Sequence, residues 1–584
     1  MRLILLVVIC SIPLTIIAQI DDLLDGAWIA PALDVLERHR EDPLCLHCCK
    51  AQDLTEIPGI GKRTAVAIIR AVNSGAITSI EHLADTLCLT SDQFVLLTAC
   101  TSLTCACSGF ISRADAFIRL PTRATSTAVA RVDVQYALGR VGATYALQGY
   151  AGKQISGFWA TARIENVDIV VGDFALRFNS GLIMGTARAL ARNPTDILSS
   201  SSTSWQMHPW TSTVTEGLQR GVAIHTVIPN TFFDLTFALS SQNVNGVVNT
   251  VLAASCSAQI QQWTIISSMV SGSQQSLLSL GAAFHTSGGS LTGEIALDAS
   301  LRSAAQINAE YSTKYSDIGM ALWWYDPNFR SDFGSTTNTV STPHNHAGFL
   351  IAARFHPTPH AAASLALAYG GRISRSYLVP LPTSTTGLTA DFTARPFRGI
   401  NTSARLRYEH GTDAHSLSAT RQMGRFSFFM IRADVDFPIA PSLIGRLRID
   451  TRAQIWEQFG ATDQGTLMFL DIRWSARKDI SIRARLTRFS ATNGDVAPRM
   501  LDATVVGALQ IVVGNGVGTR SSLTIRWQIA EWFAASCSLH EDVRVVDKEK
   551  RIDLSGIFQI NVQLRPNNRS GFIASSNESS TRLE

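Results

Sequence analysis

Five consecutive residues near the start of the chain carry the clearest binding chemistry. They are Gly59, Ile60, Gly61, Lys62 and Arg63, and a run with apolar residues at helical spacing follows them. The two glycines permit a tight turn and a close approach of the backbone to a ligand. A helix that begins here would present free N–H groups and its positive dipole end, which suit a phosphate. The segment therefore predicts contact with a phosphate, with a structural or protein-binding turn as the alternative.

The same stretch predicts a small all-α domain rich in cysteine. Ile57 and Ile60 are expected to hold the turn in a core, and Ala65, Ile68, Ile69 and Val72 are expected to form one buried helix face. Seven of the ten cysteines cluster here: Cys45, Cys48, Cys49, Cys88, Cys100, Cys105 and Cys107. In an exported chain such clustering predicts disulfides. A zinc site near His47 and free thiols remain alternatives, and the odd number leaves at least one thiol over.

The run over residues 53–69 resembles the helix-hairpin-helix motif, with its Pro-Gly-apolar-Gly turn before a helix. In DNA-binding members of that family the hairpin backbone and adjacent basic residues grip the phosphates of one strand. The resemblance thus implies phosphate contact by the five residues named above. Residues 77–84 resemble the start of a second unit, as in the tandem modules of competence-type DNA receptors, but its hairpin position, residues 88–92, has no glycine. The second unit is expected to be structural.

A second set of chemically active side chains lies in the long C-terminal part, where arginines recur at alternate positions. A strand with this pattern directs them all to one face. The arginines predicted to line a lumen are Arg405, Arg407, Arg446, Arg448, Arg452, Arg483 and Arg485, with Arg473 and Arg526 on the same faces. Arginine side chains that surround a pore favour the passage of anions. Alternatively, the arginines pair with Glu409, Asp450, Asp471 and Asp553 and brace the wall.

Strands must position these side chains, and the alternation of apolar and polar residues along the sequence is the evidence for such strands. Leu447, Ile449 and Thr451 oppose Arg448 and Asp450, and similar segments recur nearly to the end of the chain. The longer runs have about 9–11 residues, which a tilted strand needs to cross a bilayer. Charged residues make up 16% of the chain, against about 25% in typical globular proteins. The fold class predicted is mainly β, a large antiparallel transmembrane β-barrel of about 18–24 strands, preceded by the small helix-hairpin-helix domain.

The first residues predict export. A short positive start precedes an apolar run too short for a comfortable membrane span, and Ala18-Gln19 offers a cleavage site. The predicted organisation is a signal peptide at 1–18, a cysteine-rich helix-hairpin-helix domain at 19–111, a linker at 112–127, a barrel at 128–566 and a polar tail at 567–584. The predicted location is the bacterial outer membrane, with the lipid bilayer as partner and the N-terminal domain in the periplasm.

Residues 169–182 are similar to the "V-V-G-D-F/Y…F-G-Q-G-L" segment of helix-hairpin-helix outer-membrane proteins of the Bacteroidetes–Chlorobi group. Here Asn179-Ser180 replaces the usual Gly-Gln before Gly181. The resemblance implies location and architecture and no established activity. From the residues alone, Gly172-Asp173 predicts a turn between two short strands.

The predicted function is a channel or receptor that binds or transports DNA or another polyanion. The alternative is a structural or assembly protein whose barrel is plugged and whose N-terminal domain docks a periplasmic protein. A secreted soluble β protein is a third hypothesis. No serine elbow, P-loop or dinucleotide fingerprint stands out, so neither an enzyme nor a cofactor is expected. The histidines at 344, 346, 356 and 360 flank one strand and are expected to be too far apart to share a metal.

Overall fold

The structure is a computed structural model that describes short pieces between residues 44 and 103 and most of 111–564. Within the second range the residues not described are 122–126, 137–138, 149–152, 186–205, 211–217, 230, 245–246, 274, 287, 314, 335–343, 359–360, 376–380, 398–399, 418–419, 441, 478, 502–510, 531–532 and 547–548. The predicted signal peptide and polar tail lie outside the described residues. Among the described residues, no helix has the length and apolar character needed to cross a membrane.

Among its described residues, the N-terminal part has two continuous helices and one small parallel sheet. The helices are α1 (Ala51–Leu54) and α2 (Lys62–Asn73), and β1 (Leu44–Cys45) pairs with β2 (Thr101–Ser102). Most of the side chains predicted to be buried in the turn and the helix face are buried: Ile57, Ile60, Ala65, Ile68 and Val72 are each at most 1% exposed. Ile69, which was also predicted to be buried, is only partly buried. They pack with Leu46, Leu54, Leu83 and Leu97 in one apolar cluster.

Two cysteines of the N-terminal cluster are described, and they differ. Cys45 is disulfide-bonded, whereas Cys49 is a free thiol. Burial, assisted by the charge of Asp53, raises the pKa of the Cys49 thiol to about 11, so it stays protonated at neutral pH. The other five cysteines of the cluster lie outside the described residues, and the disulfide framework as a whole stays a prediction.

The C-terminal part is a closed antiparallel barrel. Each strand pairs with its neighbours in chain order, and β29 closes the ring by pairing with β3 from Ser555↔Pro121 to Leu564↔Ser112. Among the described residues the ring has 24 long strands, which is within the predicted range, and the short β8 caps one end of β7. The strands are β3 (Ile111–Pro121), β4 (Thr127–Tyr136), β5 (Gly139–Gln148), β6 (Lys153–Ile164), β7 (Val167–Arg177), β8 (Gln206–Pro209), β9 (Gln219–Val227), β10 (Phe233–Val244), β11 (Val247–Ile260), β12 (Trp263–Gly272), β13 (Ser276–His285), β14 (Gly289–Asp298), β15 (Ser303–Ser312), β16 (Ser316–Tyr325), β17 (His346–Thr358), β18 (Ala361–Gly371), β19 (Ser384–Phe397), β20 (Ile400–Leu417), β21 (Thr420–Ala440), β22 (Leu443–Trp456), β23 (Ala461–Ser475), β24 (Ile480–Ala491), β27 (Gly516–Ala530), β28 (Phe533–Val546) and β29 (Glu549–Leu564).

The barrel begins earlier than the sequence predicted. Most of the segment predicted as a linker, residues 112–127, belongs to β3. Its Ser, Thr and Pro content suggested a loop, but Ala114, Ala116 and Ile118 alternate with Arg113, Asp115 and Arg119, with Phe117 as the one exception. Pro121 stands at the last position of β3, where its missing N–H costs the sheet little.

The two ends of the barrel differ in their connections. At one end, here the turn end, each connection is short, and the longest spans residues 228–232. At the other end, here the loop end, the connections include residues 178–218, 326–345, 372–383 and 492–515. The last of these contains a hairpin of β25 (Arg499–Leu501) and β26 (Ile511–Val513). Because β3 starts and β29 finishes at the turn end, the N-terminal part and the C-terminal tail both join the barrel there.

The alternation predicted for the strands is confirmed by their exposure. In β22, Arg446, Arg448 and Asp450 are buried, while Ile449 and Ile455 are exposed. The same holds around the ring, so large apolar side chains cover the outside and polar or small ones face the interior. This arrangement is the reverse of a soluble protein, which hides its large apolar side chains.

Candidate functional site

The interior of the barrel has two chemically different faces. Strands β19 to β28 carry a set of paired ions that we term the charged wall. Its arginines are Arg405, Arg407, Arg432, Arg446, Arg448, Arg452, Arg483, Arg485, Arg520 and Arg544, and its acidic residues are Asp391, Glu409, Asp434, Asp436, Asp450, Asp471 and Asp542. All seven arginines predicted to line the lumen belong to it.

The strand register brings opposite charges side by side at the centre of this wall. Arg432 on β21 lies directly across from Asp450 on β22, and its Nη2 donates to Asp450 Oδ2 at 2.6 Å. Arg452 donates to the same carboxylate at 3.0 Å. One rung away, Asp434 accepts from Arg448 Nε at 2.7 Å and from Arg446 Nη2 at 3.0 Å. Arg432, Arg448 and Asp450 are each 1% exposed, so these ions are removed from water.

A third carboxylate, Asp471 on β23, also holds two arginines. Arg485 donates through Nη2 at 2.8 Å, and Arg483 donates through both Nε and Nη2. The ring of Phe469 lies two residues away on the same face, with the guanidinium carbons of Arg485, Arg448 and Arg446 at 4.3, 5.4 and 5.6 Å from its centroid. The aromatic face thus adds cation–π attraction to the ion pairs.

Two smaller groups flank this centre. Arg405 Nε donates to Asp391 at 2.6 Å, and Arg407 donates to Glu409 at 2.6 Å. On the other side Asp542 accepts from Arg544 at 2.7 Å and from Arg520 at 3.3 Å. The predicted arginines are therefore paired with carboxylates in the manner of the bracing interpretation. Of the two further arginines considered, Arg473 lies opposite Arg483 in the register, and Arg526 is exposed.

Sequence reasoning missed the residues of β21. Arg432, Asp434 and Asp436 alternate with Ile431 and Val435, which is the pattern that identified the other strands. The signal was present, but the preceding run of aromatic residues obscured where the alternation starts. The omission matters because Asp434 connects two of the predicted arginines, Arg446 and Arg448.

The opposite face, on strands β7 to β18, is the apolar wall. Its inward side chains are mostly small: Ala223, Ala238, Ala253, Ala296, Ala304, Ala321, Ala352 and Ala366 are all at most 5% exposed. Phe178, Leu182, Ile183 and Met184 pack against them in one cluster. These four belong to residues 178–185, the inward segment, which leaves the loop end of β7 and folds into the barrel.

The prediction of a turn at Gly172-Asp173 is wrong, because both residues lie inside the continuous strand β7. Gly172 has a φ of +95°, and a Cβ there would lie 2.2 Å from the carbonyl oxygen of Phe158, so only glycine fits. Asp173 is buried and accepts from Arg220 Nε at 2.6 Å and Nη2 at 2.9 Å. The turn comes later, at Asn179 and Gly181, which both have positive φ.

A buried carboxylate holds the inward segment. Glu294 on β14 accepts hydrogen bonds from the backbone N–H of Ser180 at 3.1 Å, from Ser180 Oγ at 2.5 Å and from the N–H of Leu182 at 3.4 Å. Gly281 on β13 lies directly across from Glu294, and a Cβ at Gly281 would collide with the side chain of Asn179. Because Gly281 has no side chain, the inward segment has room to lie beside its acceptor Glu294.

A second inward element comes from the loop end between β24 and β27. Met500 of β25 and Val512 of β26 pack against Leu467, Phe469 and Phe489 of the barrel. The ring of Phe469 also lies against three arginine guanidinium groups of the charged wall, so this hairpin covers part of that wall. The lumen therefore has inserted chain against both of its walls.

The residues predicted to hold phosphate are only partly described. Gly59 and Gly61 lie outside the described residues. Ile60 is buried, which fits its predicted role in the core, and Lys62 and Arg63 are the first two residues of α2. Searching the described residues for groups of three or more His, Cys, Asp or Glu that could hold a metal ion finds none.

Comparisons with known proteins find only distant likeness. No protein-family model matches the chain, and no curated protein sequence does. Among solved structures, the siderophore receptor PirA from Pseudomonas aeruginosa is 8% identical, with a TM-score of 0.42 over 78% of this chain and 81% of that one. The copper transporter OprC is 6% identical, with a TM-score of 0.43 over 78% and 81%. The ferripyoverdine receptor of the outer membrane of Pseudomonas aeruginosa is 8% identical, with a TM-score of 0.42 over 78% and 72%.

Proposed function

We propose that this protein is a β-barrel of the bacterial outer membrane that acts as a gated channel or receptor for anionic ligands. The observation that carries the proposal is the inverted exposure of the barrel. Large apolar side chains cover its outside, and ten arginines face seven acidic residues within the charged wall. A bilayer is the solvent that stabilises such an exterior.

An aromatic belt near the turn end supports this placement. Its members are outward-facing and well exposed: Trp263, Tyr315, Phe355, Phe397, Trp474 and Trp527. Aromatic rings of this kind favour the boundary between lipid and water. At the loop end Trp324 and Tyr369 stand in the corresponding position. The turn end would face the periplasm, which puts the N-terminal part on that side.

The excess of arginine over acidic residues in the charged wall supports an anionic ligand. Among the ion pairs of the described residues this wall has ten arginines and seven acidic residues, and the resulting positive charge favours anions. The inward segment and the β25–β26 hairpin lie inside the barrel against its walls, and in this proposal their movement controls passage. A gated barrel, rather than an open pore, is the function that this geometry supports best.

Migration in a gel tests the barrel itself. After extraction from the outer-membrane fraction, the unheated protein is expected to migrate faster than the boiled protein, because a closed barrel resists unfolding by detergent. Recovery in the soluble periplasmic fraction, with no difference on heating, would contradict the membrane placement and favour a secreted β protein.

The N-terminal part is proposed to be a periplasmic helix-hairpin-helix module that binds DNA or another polyanion. Support comes from α2, whose first two residues are Lys62 and Arg63 and whose N-terminus follows the buried Ile60. The double substitution Lys62→Glu and Arg63→Glu should abolish salt-sensitive DNA binding by the full chain. Arg70→Glu is the matched control, since Arg70 is exposed in the last turn of the same helix. Equal binding by both variants would contradict the assignment.

Docking of a periplasmic protein is the alternative for this module. The chain inserted against both walls of the lumen is the observation that favours it, because a barrel plugged by its own chain would have a structural or assembly role. Absence of DNA binding at low salt, together with a barrel that never conducts, would select this alternative.

A further inference from the structure

A groove lies on the outside of the barrel at the loop end of strands β15 to β18. Its volume is about 600 Å³, within the range of small-molecule sites. The register sets its shape. One row of outward-facing residues, paired across the four strands, has mostly small side chains and consists of Ala305, Trp324, Ala347 and Gly371. The next outward-facing row has large side chains and consists of Ile307, Leu322, Phe349 and Tyr369.

The difference in side-chain size between these two rows creates the concave surface. Ala347 and Gly371 form a low floor, while Trp324 rises on one side and the rings of Phe349 and Tyr369 rise on the other. The centroids of these last two rings are 5.8 Å apart with an interplanar angle of 31°. Many other outward positions carry Leu, Ile or Phe. The groove thus combines a low floor with bulky apolar sides.

The rim of the groove is cationic and held in place. Arg372 lines it, and Arg375 is exposed three residues later. The turn between them is fixed, because Asn345 Nδ2 donates to the carbonyl oxygen of Ser374 at 2.9 Å and Asn345 Oδ1 accepts from the Ser374 N–H at 2.9 Å. The backbone N–H of Arg372 also donates to Thr383 Oγ1 at 3.2 Å. An apolar groove thus ends at a positively charged rim.

We infer that this groove binds one acyl chain of an anionic lipid, whose head group carries a net negative charge. The inference rests on the proposed membrane placement, and it adds a specific ligand site to it. The apolar floor and aromatic sides suit a hydrocarbon chain. At the loop end the membrane boundary brings the head group level with the arginines, and each basic residue near a membrane surface adds about 1 kcal/mol of attraction to an anionic lipid.

Native mass spectrometry of the full chain tests this inference. The protein would be released from mixed micelles that hold phosphatidylglycerol and phosphatidylcholine with the same acyl chains. Wild type should retain one phosphatidylglycerol in preference to phosphatidylcholine. Arg372→Gln should reduce that preference about fivefold, because one attraction of this size is lost. Ala347→Trp should lower the retention of both lipids, because the indole fills the floor.

Ala254→Trp supplies the matched control, since Ala254 faces outward on β11, away from the groove. It should retain lipid as wild type does. Equal retention by Ala347→Trp and Ala254→Trp, or no preference for the anionic lipid in wild type, would overturn the inference. Heat-modifiable migration is measured on each variant. If it persists while lipid specificity is absent, the lipid site alone is wrong; if wild type lacks it, the membrane placement is wrong as well.

Discussion

The charged wall and the apolar wall belong to one barrel with one alternation, yet they fill the interior in opposite ways. On the apolar wall the inward residues are mostly small, and a separate piece of chain, the inward segment, packs against them. On the charged wall long arginines cover much of the inner face, and carboxylates and Phe469 hold them. The β25–β26 hairpin packs there on the apolar patch of Leu467, Phe469 and Phe489. Side-chain volume and charge on the inner face therefore decide where inserted chain can pack.

The comparison predicts that the largest loss of stability follows from breaking an ion cluster. Asp471→Ala leaves Arg483 and Arg485 buried without their shared acceptor, so the free energy of unfolding should fall by about 3–5 kcal/mol. Urea unfolding in lipid vesicles, followed by tryptophan fluorescence, measures this change. Glu541→Gln, at an exposed position of β28, is the control and should change little. If the free energy of unfolding falls by less than about 1 kcal/mol, the charged wall is solvated by water and the prediction is contradicted.

Added volume on the apolar wall should have the next largest effect. Ala253 faces the interior and is fully buried, whereas its neighbour Ala254 faces outward. Ala253→Leu should lower the free energy of unfolding by about 1–3 kcal/mol, because the site is already packed. Ala254→Leu adds the same atoms to the exterior and should be near neutral. Equal effects of the two variants would contradict the assignment of inner and outer faces.

Loss of the aromatic ring in the charged wall should have the smallest effect. Phe469→Leu keeps an apolar side chain under the guanidinium groups of Arg446, Arg448 and Arg485 but removes the cation–π attraction. The free energy of unfolding should fall by about 1–2 kcal/mol. Phe429→Leu is the control, since Phe429 is exposed on the outer face of β21. If the two variants lose the same stability, the ring serves only as apolar filler.

Much of the barrel followed from the sequence because alternation is a local property. The inward positions of Arg446, Arg448 and Arg485 could be assigned from their own strands, as could the apolar face of α2. Pairing between strands is not local, and so the sequence could not show that Asp434 on β21 is the acceptor that Arg446 and Arg448 share. The same reason hid Glu294, which is far along the chain from its donors Ser180 and Leu182.

The errors also have physical reasons. Gly172 and Asp173 form a dipeptide that is common in turns, yet close contact with Phe158 explains the glycine and an ion pair with Arg220 explains the aspartate. Residues 112–127 looked like a linker because Ser, Thr and Pro are frequent in loops. Closure of the ring requires a partner for β29, and this pairing makes a strand of a segment whose composition is ambiguous.

Conductance across a planar bilayer tests most directly whether the inward segment, held by Glu294, closes the lumen. Wild type should insert but conduct little, while Glu294→Ala should show frequent large openings, because Ser180 and Leu182 lose their acceptor. Glu294→Gln keeps an acceptor oxygen and should lie between them. Retained heat-modifiable migration would show that each variant is folded. A wild-type protein that conducts steadily, or a folded Glu294→Ala variant that stays closed, would contradict the account.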